Sequence, residues 1–208
     1  MIDPVNMTQY GLSKNKLEEV LLFSCAVAGK KALTTARVLD EFLEDLKTKA
    51  KLKTKSPFEL IKNYKGDLPK KLRSHGMGCY NHRAKTFKEL ADSDLNLKEC
   101  TVEELESISG IGPKTSRFFI LHTRQNINNA ALDVHILKFM SDLGYKVPSV
   151  TPPAGKKYKE IEKQFISIAK KSKLSIAEFD LTVWRVYSGT FTEKDKNFVQ
   201  KYKEKHSI

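Results

Sequence analysis

Between residues 107 and 116 the chain reads Ser107-Ile-Ser-Gly-Ile-Gly-Pro-Lys-Thr-Ser116, two glycines two residues apart with helical stretches on both sides. Glycines at this spacing let a chain reverse tightly and bring its backbone N–H groups close to another molecule. Pro113 directly after Gly112 marks the first turn of a second helix, so Lys114 falls inside that turn. Asp133 follows 19 residues later, at the head of the run Val134-His-Ile-Leu137. The segment is therefore a helix, a hairpin and a helix, with an amine and a carboxylate beside the turn. Each piece alone has a plainer reading: a surface turn, a solvated lysine, an aspartate capping the next helix. Their order and spacing together point to a chain that holds a phosphate backbone and does chemistry next to it.

The rest of the chain carries helical periodicity and no alternating strand pattern, which predicts an all-α fold. From Leu17 to Leu46 apolar residues recur every three or four positions, with a break at Ala28-Gly29. Ser56-Pro57-Phe58-Glu59 is a helix start, and Thr101-Val-Glu-Glu104 a capping box for the first hairpin helix. Gly66 to Pro69 punctuates the chain, Gly76-Met-Gly78 is a second Gly-x-Gly turn, Lys47 to Lys55 a solvated end or loop, and Pro148 to Gly155 a clear loop. Two further helices are expected at residues 157–171 and 175–188.

Charge narrows the partner. The 208 residues carry 37 Lys plus Arg against 25 Asp plus Glu, a formal charge of +12, which favours a polyanion such as nucleic acid. No apolar run approaches the roughly 20 residues of a bilayer span. The first residues lack the basic-then-apolar pattern of a secretory signal, so an intracellular protein working with the DNA is expected. Three scattered cysteines, Cys25, Cys79 and Cys100, provide neither a disulfide framework nor the four thiolates of a [4Fe–4S] cluster. His122 and His135 have no metal-ligand spacing, and no metal site is expected.

The hairpin with Lys114 and Asp133 resembles the helix-hairpin-helix, Gly/Pro-Asp signature of the endonuclease III and 8-oxoguanine DNA glycosylase superfamily. The likeness is clear from about Gly78 to Gly144 and fainter from Leu17 to Phe42. It implies two helical lobes with a DNA-binding cleft between them, Asp133 at its mouth. Residues 20–145 would form a central bundle containing the hairpin at 101–123, and residues 1–19 with 146–208 the second lobe. Lys114 would be the nucleophile at sugar C1′ of a bifunctional glycosylase and AP lyase, since monofunctional relatives lack it. Asp133 would stabilise charge developing on the sugar. Lysine is protonated at neutral pH, and a position in the first turn of a helix disfavours the ammonium. Gly110, Gly112 and Thr115 would hold a phosphate, with a monovalent cation at the hairpin carbonyls and no other cofactor. The partner would be double-stranded DNA containing a damaged base, bound by a monomer.

Gly78-Cys-Tyr-Asn81 resembles the family turn that fills the gap left by a flipped base. It makes Cys79, Tyr80 and Asn81 candidate DNA contacts, with His82 and Arg83 behind them. Phe179 and Trp184 are candidate walls of a base pocket, with aromatic core as the alternative. The missing cluster cysteines, and Ser24-Cys-Ala-Val-Ala-Gly29 where endonuclease III has a glutamine, turn the expectation towards 8-oxoguanine. An oxidised pyrimidine is the alternative substrate. A non-catalytic helix-hairpin-helix DNA-binding module is the alternative of another class.

Overall fold

In the computed structural model, which describes residues 1–50 and 56–207, every regular element is a helix. After a short 3-10 turn at Pro4–Asn6, eleven α-helices follow among the described residues. They are α1 (Lys14–Ala26), α2 (Ala32–Ala50), α3 (Pro57–Asn63), α4 (Leu68–Ser74), α5 (Tyr80–Asp92), α6 (Val102–Glu106), α7 (Pro113–Thr123), α8 (Val134–Asp142), α9 (Lys156–Lys170), α10 (Ile176–Ser188) and α11 (Glu193–His206). The all-α expectation holds, and the break foreseen at Ala28-Gly29 separates α1 from α2. Of the lysine-rich stretch, residues 47–50 prolong α2 and residues 51–55 lie outside the described residues.

Cα packing divides the chain into two compact units, Met1–Pro4 with Gly11–Ile111 and Val5–Tyr10 with Gly112–Ile208. The division falls inside the hairpin, away from the expected boundaries at 19/20 and 145/146. The reason is the apolar face of α8: Ile136, Leu137, Phe139 and Met140 are buried in one cluster with Phe165 of α9 and Phe179 of α10.

In the first unit Leu21, Leu22, Phe23, Leu39, Phe42, Leu46, Leu72 and Phe87 are almost wholly buried. Ser56 caps α3 as its sequence predicts, accepting from the Glu59 N–H at 3.2 Å. Glu18 reaches across from α1, accepting from the Ser56 hydroxyl (2.6 Å) and the Phe58 N–H (3.1 Å), and so ties α1 to the head of α3.

The second unit is built on aromatic rings. Phe179 is fully buried, with ring centroids of Tyr202, Phe139, Phe165 and Phe198 at 5.1, 5.7, 5.8 and 6.1 Å. Burying such a side chain is worth about 1.5–3 kcal/mol, and its edge-to-face contacts add to that. Phe179 is therefore a core residue, and the base-pocket reading of it is corrected: its position on the inner face of α10 leaves no surface for a ligand. The sequence reading stopped at α10 and missed α11. Its signals were present, a Thr192–Asp195 capping box followed by Phe198, Val199 and Tyr202, within an otherwise lysine-rich stretch.

A polar network runs through this apolar unit. Arg117 of α7 donates through Nε to Glu162 Oε1 of α9 at 2.7 Å, and its guanidinium lies 4.6 Å from the Tyr158 ring centroid. Glu162 Oε1 also accepts the Ala130 N–H at 3.0 Å. Tyr158 donates to the Ala130 carbonyl (3.0 Å) and accepts from the Leu132 N–H (3.1 Å). Burial pushes the Tyr158 hydroxyl above the usual phenol range, so it stays a proton donor. Removing one partner of a buried ion pair strands the other charge, which costs about 3–5 kcal/mol. Glu162→Ala is thus expected to lower unfolding free energy by about that amount, read from urea denaturation.

Candidate active site

The hairpin begins where α6 stops. Thr101 and Glu104 form the predicted capping box, at 2.7 Å and 3.1 Å, and Ile111 N–H donates to the Ile108 carbonyl at 3.0 Å to close the turn. Helix α5 supports it: Thr86 Oγ1 donates to the Ser109 carbonyl (2.7 Å), and Ser109 N–H donates to Glu89 Oε1 (3.1 Å). Gly110 has φ +88°, and a Cβ there would collide with Thr86 Oγ1 and the His82 ring. Only glycine fits both the conformation and the space. Gly112 caps α7 in extended conformation with Pro113 after it. The N–H groups of Gly110, Gly112 and Lys114 meet no acceptor among the described residues. Such unpaired donors at a helix start favour an anion.

Lys114 is half-buried in the first turn of α7, its Nζ 5.1 Å from the centroid of the Phe118 ring one turn on. Thr115 is only 6% exposed and turns into the protein. Its expected contact to DNA is corrected: a residue one position on from Lys114 points about 100° away around the helix, and the Thr115 N–H donates to the Gly112 carbonyl at 3.0 Å.

Asp133 caps α8, its Oδ1 accepting from the N–H groups of His135 and Ile136, both at 2.9 Å. The capping reading and the catalytic one are compatible, since Oδ2 takes no part in these bonds. The segment leading to Asp133 is the one held by Glu162 and Tyr158, and Thr151 Oγ1 adds a bond to the Leu132 carbonyl at 2.7 Å. Arg117, the anchor of that network, stands one turn beyond Lys114 on the same helix.

One carboxylate of this region was missed by the sequence reading. Asp180 on α10 is buried, with Oδ2 3.3 Å from His122 Nε2. Burial pushes its carboxyl above the usual carboxylate range; the His122 bond and charge pull it back, Asp133 pushes it further up, and Lys114 pulls it down. Asp180 therefore shares an electrostatic neighbourhood with both proposed reacting groups. A lone acid inside the apolar run Phe179-Asp-Leu-Thr-Val183 was its only sequence signal.

The second Gly-x-Gly turn separates into surface and interior. Cys79 sits at φ +53°, exposed, at the head of α5. Asn81 and His82 are exposed, and Tyr80 is half-buried with the Arg73 guanidinium 5.5 Å from its ring centroid. Arg83 points inward. It is 4% exposed and donates to the carbonyls of Gly78, Ala26 (2.5 Å) and Ala28 (3.4 Å). Its expected role as a phosphate contact is corrected: the guanidinium is consumed in binding the α1–α2 break to the turn. Trp184 is half-buried, edge-on to His135 at 6.3 Å, and remains a candidate pocket wall. Among the described residues no group of three or more His, Cys, Asp or Glu side chains is placed to hold a metal, and no helix is long and apolar enough to cross a membrane.

The assignment of Arg83 is testable. Arg83→Met leaves three carbonyls without their donor and is expected to cost roughly 2 kcal/mol or more of stability, measured by thermal melting. The salt dependence of DNA binding should be unchanged, whereas loss of a phosphate contact would flatten it by about one unit of log–log slope.

The comparisons with known proteins converge on this helical scaffold. The 8-oxoguanine DNA glycosylase/AP lyase of Methanocaldococcus jannaschii is 28% identical over 134 residues, covering 59% of this chain. The match spans 63% of that relative's length. A crystal structure of the Methanocaldococcus jannaschii 8-oxoguanine glycosylase/lyase with a 15mer DNA containing 8-oxoguanine aligns at a TM-score of 0.65 and 24% identity, covering 88% of this chain and 86% of the other. It shows a shared fold. The family profile described as 8-oxoguanine DNA glycosylase matches residues 32–174, more than half of the sequence, and the chain belongs to that family.

Proposed function

We propose that the protein is a bifunctional DNA glycosylase and AP lyase that excises 8-oxoguanine from duplex DNA and nicks the strand. The observation that carries the reading is the framework linking Lys114 to Asp133. The helix that bears Lys114 also bears Arg117, and Arg117 acts through Glu162 and Tyr158 on the segment that ends in Asp133. An amine and a carboxylate built into one compact unit support this reading, because reaction at a sugar carbon needs both groups held in place.

In this reading the damaged nucleotide leaves the base stack before reaction. The unprotonated Lys114 amine attacks C1′, the bond from C1′ to the base breaks, and the base departs with its bonding electrons and a proton. Ring opening gives a Schiff base between Lys114 and the sugar. Loss of a C2′ proton then expels the 3′ phosphate and cuts the strand. Asp133, through the oxygen its helix cap leaves uncommitted, stabilises the positive charge that builds on the sugar. The open N–H groups of Gly110, Gly112 and Lys114 hold a backbone phosphate whatever the sequence, and a monovalent cation held by the hairpin carbonyls would add positive charge beside it. Cys79, Tyr80, Asn81 and His82 contact the DNA at the gap left by the flipped base, and Trp184 lines the base pocket. The protein works as a monomer, wherever the cell keeps its DNA, drawn to it by the +12 charge.

Borohydride should trap the protein on duplex containing 8-oxoguanine, and Lys114→Gln should abolish trapping. Asp133→Asn should lose at least about two orders of magnitude in single-turnover rate with affinity held within a few-fold. Equal loss of both would make Asp133 a helix cap and nothing more. DNA binding without any trapping by the wild-type protein would identify a non-catalytic module. Duplexes carrying 8-oxoguanine and thymine glycol, compared under single-turnover conditions, test the substrate: faster cleavage of thymine glycol reverses the assignment.

A further inference from the structure

Lys114, Phe118 and His122 stand four residues apart on one face of α7, and their side chains follow one another along it. The Lys114 ammonium lies 5.1 Å from the Phe118 ring centroid, and the Phe118 ring lies 4.7 Å from the His122 imidazole. His122 is fully buried and is held at both ring nitrogens. Nδ1 lies 2.8 Å from the Thr8 hydroxyl, and Nε2 faces Asp180 Oδ2 at 3.3 Å. The segment carrying Thr8 is fastened by a second bond, from Gln9 N–H to the His122 carbonyl at 2.9 Å.

Asp180 is the unusual member of this chain. It is 4% exposed, and its Oδ1 has no hydrogen-bond partner among the described residues. Burying a carboxylate with one oxygen unsatisfied is costly, and the apolar packing of α10 through Phe179 and Val183 does not call for it. A leucine or asparagine would be cheaper if the position served only to fill space. Costs of this kind gather where function requires a group.

We propose that Thr8, His122 and Asp180 are positioning residues for the Lys114 amine, a buried polar chain that fixes the Phe118 ring against which the amine rests. This rests on Lys114 being the nucleophile. A lysine side chain carries about 2 kcal/mol of rotamer entropy, and its end wanders unless something holds it. The Phe118 ring lies against the end of the side chain, with Nζ 5.1 Å from its centroid, and limits that wandering before and after the proton leaves. Phe118 is itself only half-buried, so its ring stays in place because the imidazole behind it cannot turn. Asp180 and Thr8 prevent that turn by engaging the two nitrogens from opposite sides. None of the three residues touches the sugar; they act through Phe118.

The test uses duplex with a single abasic site, so that the identity of the damaged base does not enter. Trapping by borohydride is measured under single-turnover conditions at saturating DNA, beside DNA affinity and thermal melting. Asp180→Asn keeps the shape and an oxygen for His122 but removes the strained carboxylate. It is expected to melt at or above the wild-type temperature and to bind DNA within about two-fold of wild type, while trapping falls roughly tenfold to a hundredfold. Phe118→Leu is expected to lose trapping in the same way by a smaller factor. A wild-type trapping rate in Asp180→Asn, or a rate loss matched by an equal loss of affinity, overturns the proposal. Should Asp180→Asn fail to fold, Phe118→Leu decides alone by the same two criteria. Lys114→Gln, run beside them, separates the layers. Trapping that persists there removes the nucleophile assignment and this proposal with it, whereas no trapping there with wild-type trapping in Asp180→Asn removes this proposal only.

Discussion

The buried contact between Arg117 and Glu162 is the constraint on which the second unit turns. It places a charge pair among aromatic and aliphatic side chains, where a hydrophobic pair of equal volume would serve stability at least as well. Its value lies in what else Glu162 and Tyr158 hold. Between them they bind the N–H and carbonyl of Ala130 and the N–H of Leu132, a segment with no helix of its own to satisfy those groups. An irregular stretch thereby acquires the rigidity of the helices around it, and it delivers Asp133 to the start of α8 in a fixed orientation.

Helix α7 divides its work by face, as the helical repeat dictates. Phe119 and Ile120 enter the core, Arg117 anchors the network, and Lys114, Phe118 and His122 line up at intervals of four. The nucleophile proposed here therefore sits on an element fixed on two other sides. Rigidity of this kind comes at the head of the helix too, where Pro113 sets the first turn and Gly112 leaves the N–H groups open. Around this helix lie buried polar groups that would weaken an ordinary core, Asp180 above all. That pattern is what a site looks like when stability has been given up for geometry.

Much of the helical scaffold could be read in the chain because its signals are local. Ser56 and Thr101 cap the helices their sequences announce, Gly29 stands in the break between α1 and α2, and Gly110 occupies a turn that no other residue fits. Lys114 could be placed in the first turn of its helix for the same reason. The assignments that failed were of another kind. Arg83 is as polar as an exposed arginine and follows a turn that faces solvent, yet three carbonyls from its own turn and the α1–α2 break absorb it. Phe179 and Trp184 lie five residues apart on one helix, one sealed among rings and the other half-buried. Periodicity gives each a direction around the axis but says nothing of what waits there.

By itself, then, the sequence determined most of the helices, their caps and breaks, and the hairpin with its glycines and lysine, because each depends on residues within about one turn of one another. Tertiary structure alone decided which side chains face inward, and with that the burial of Thr115 and Arg83, the grip of Glu162 on Ala130, and the meeting of His122 with Asp180 and Thr8. Those contacts join residues 32 to 114 positions apart. Their existence depends on the packing of whole helices against one another, a sum over many weak apolar contacts that no short stretch of sequence contains.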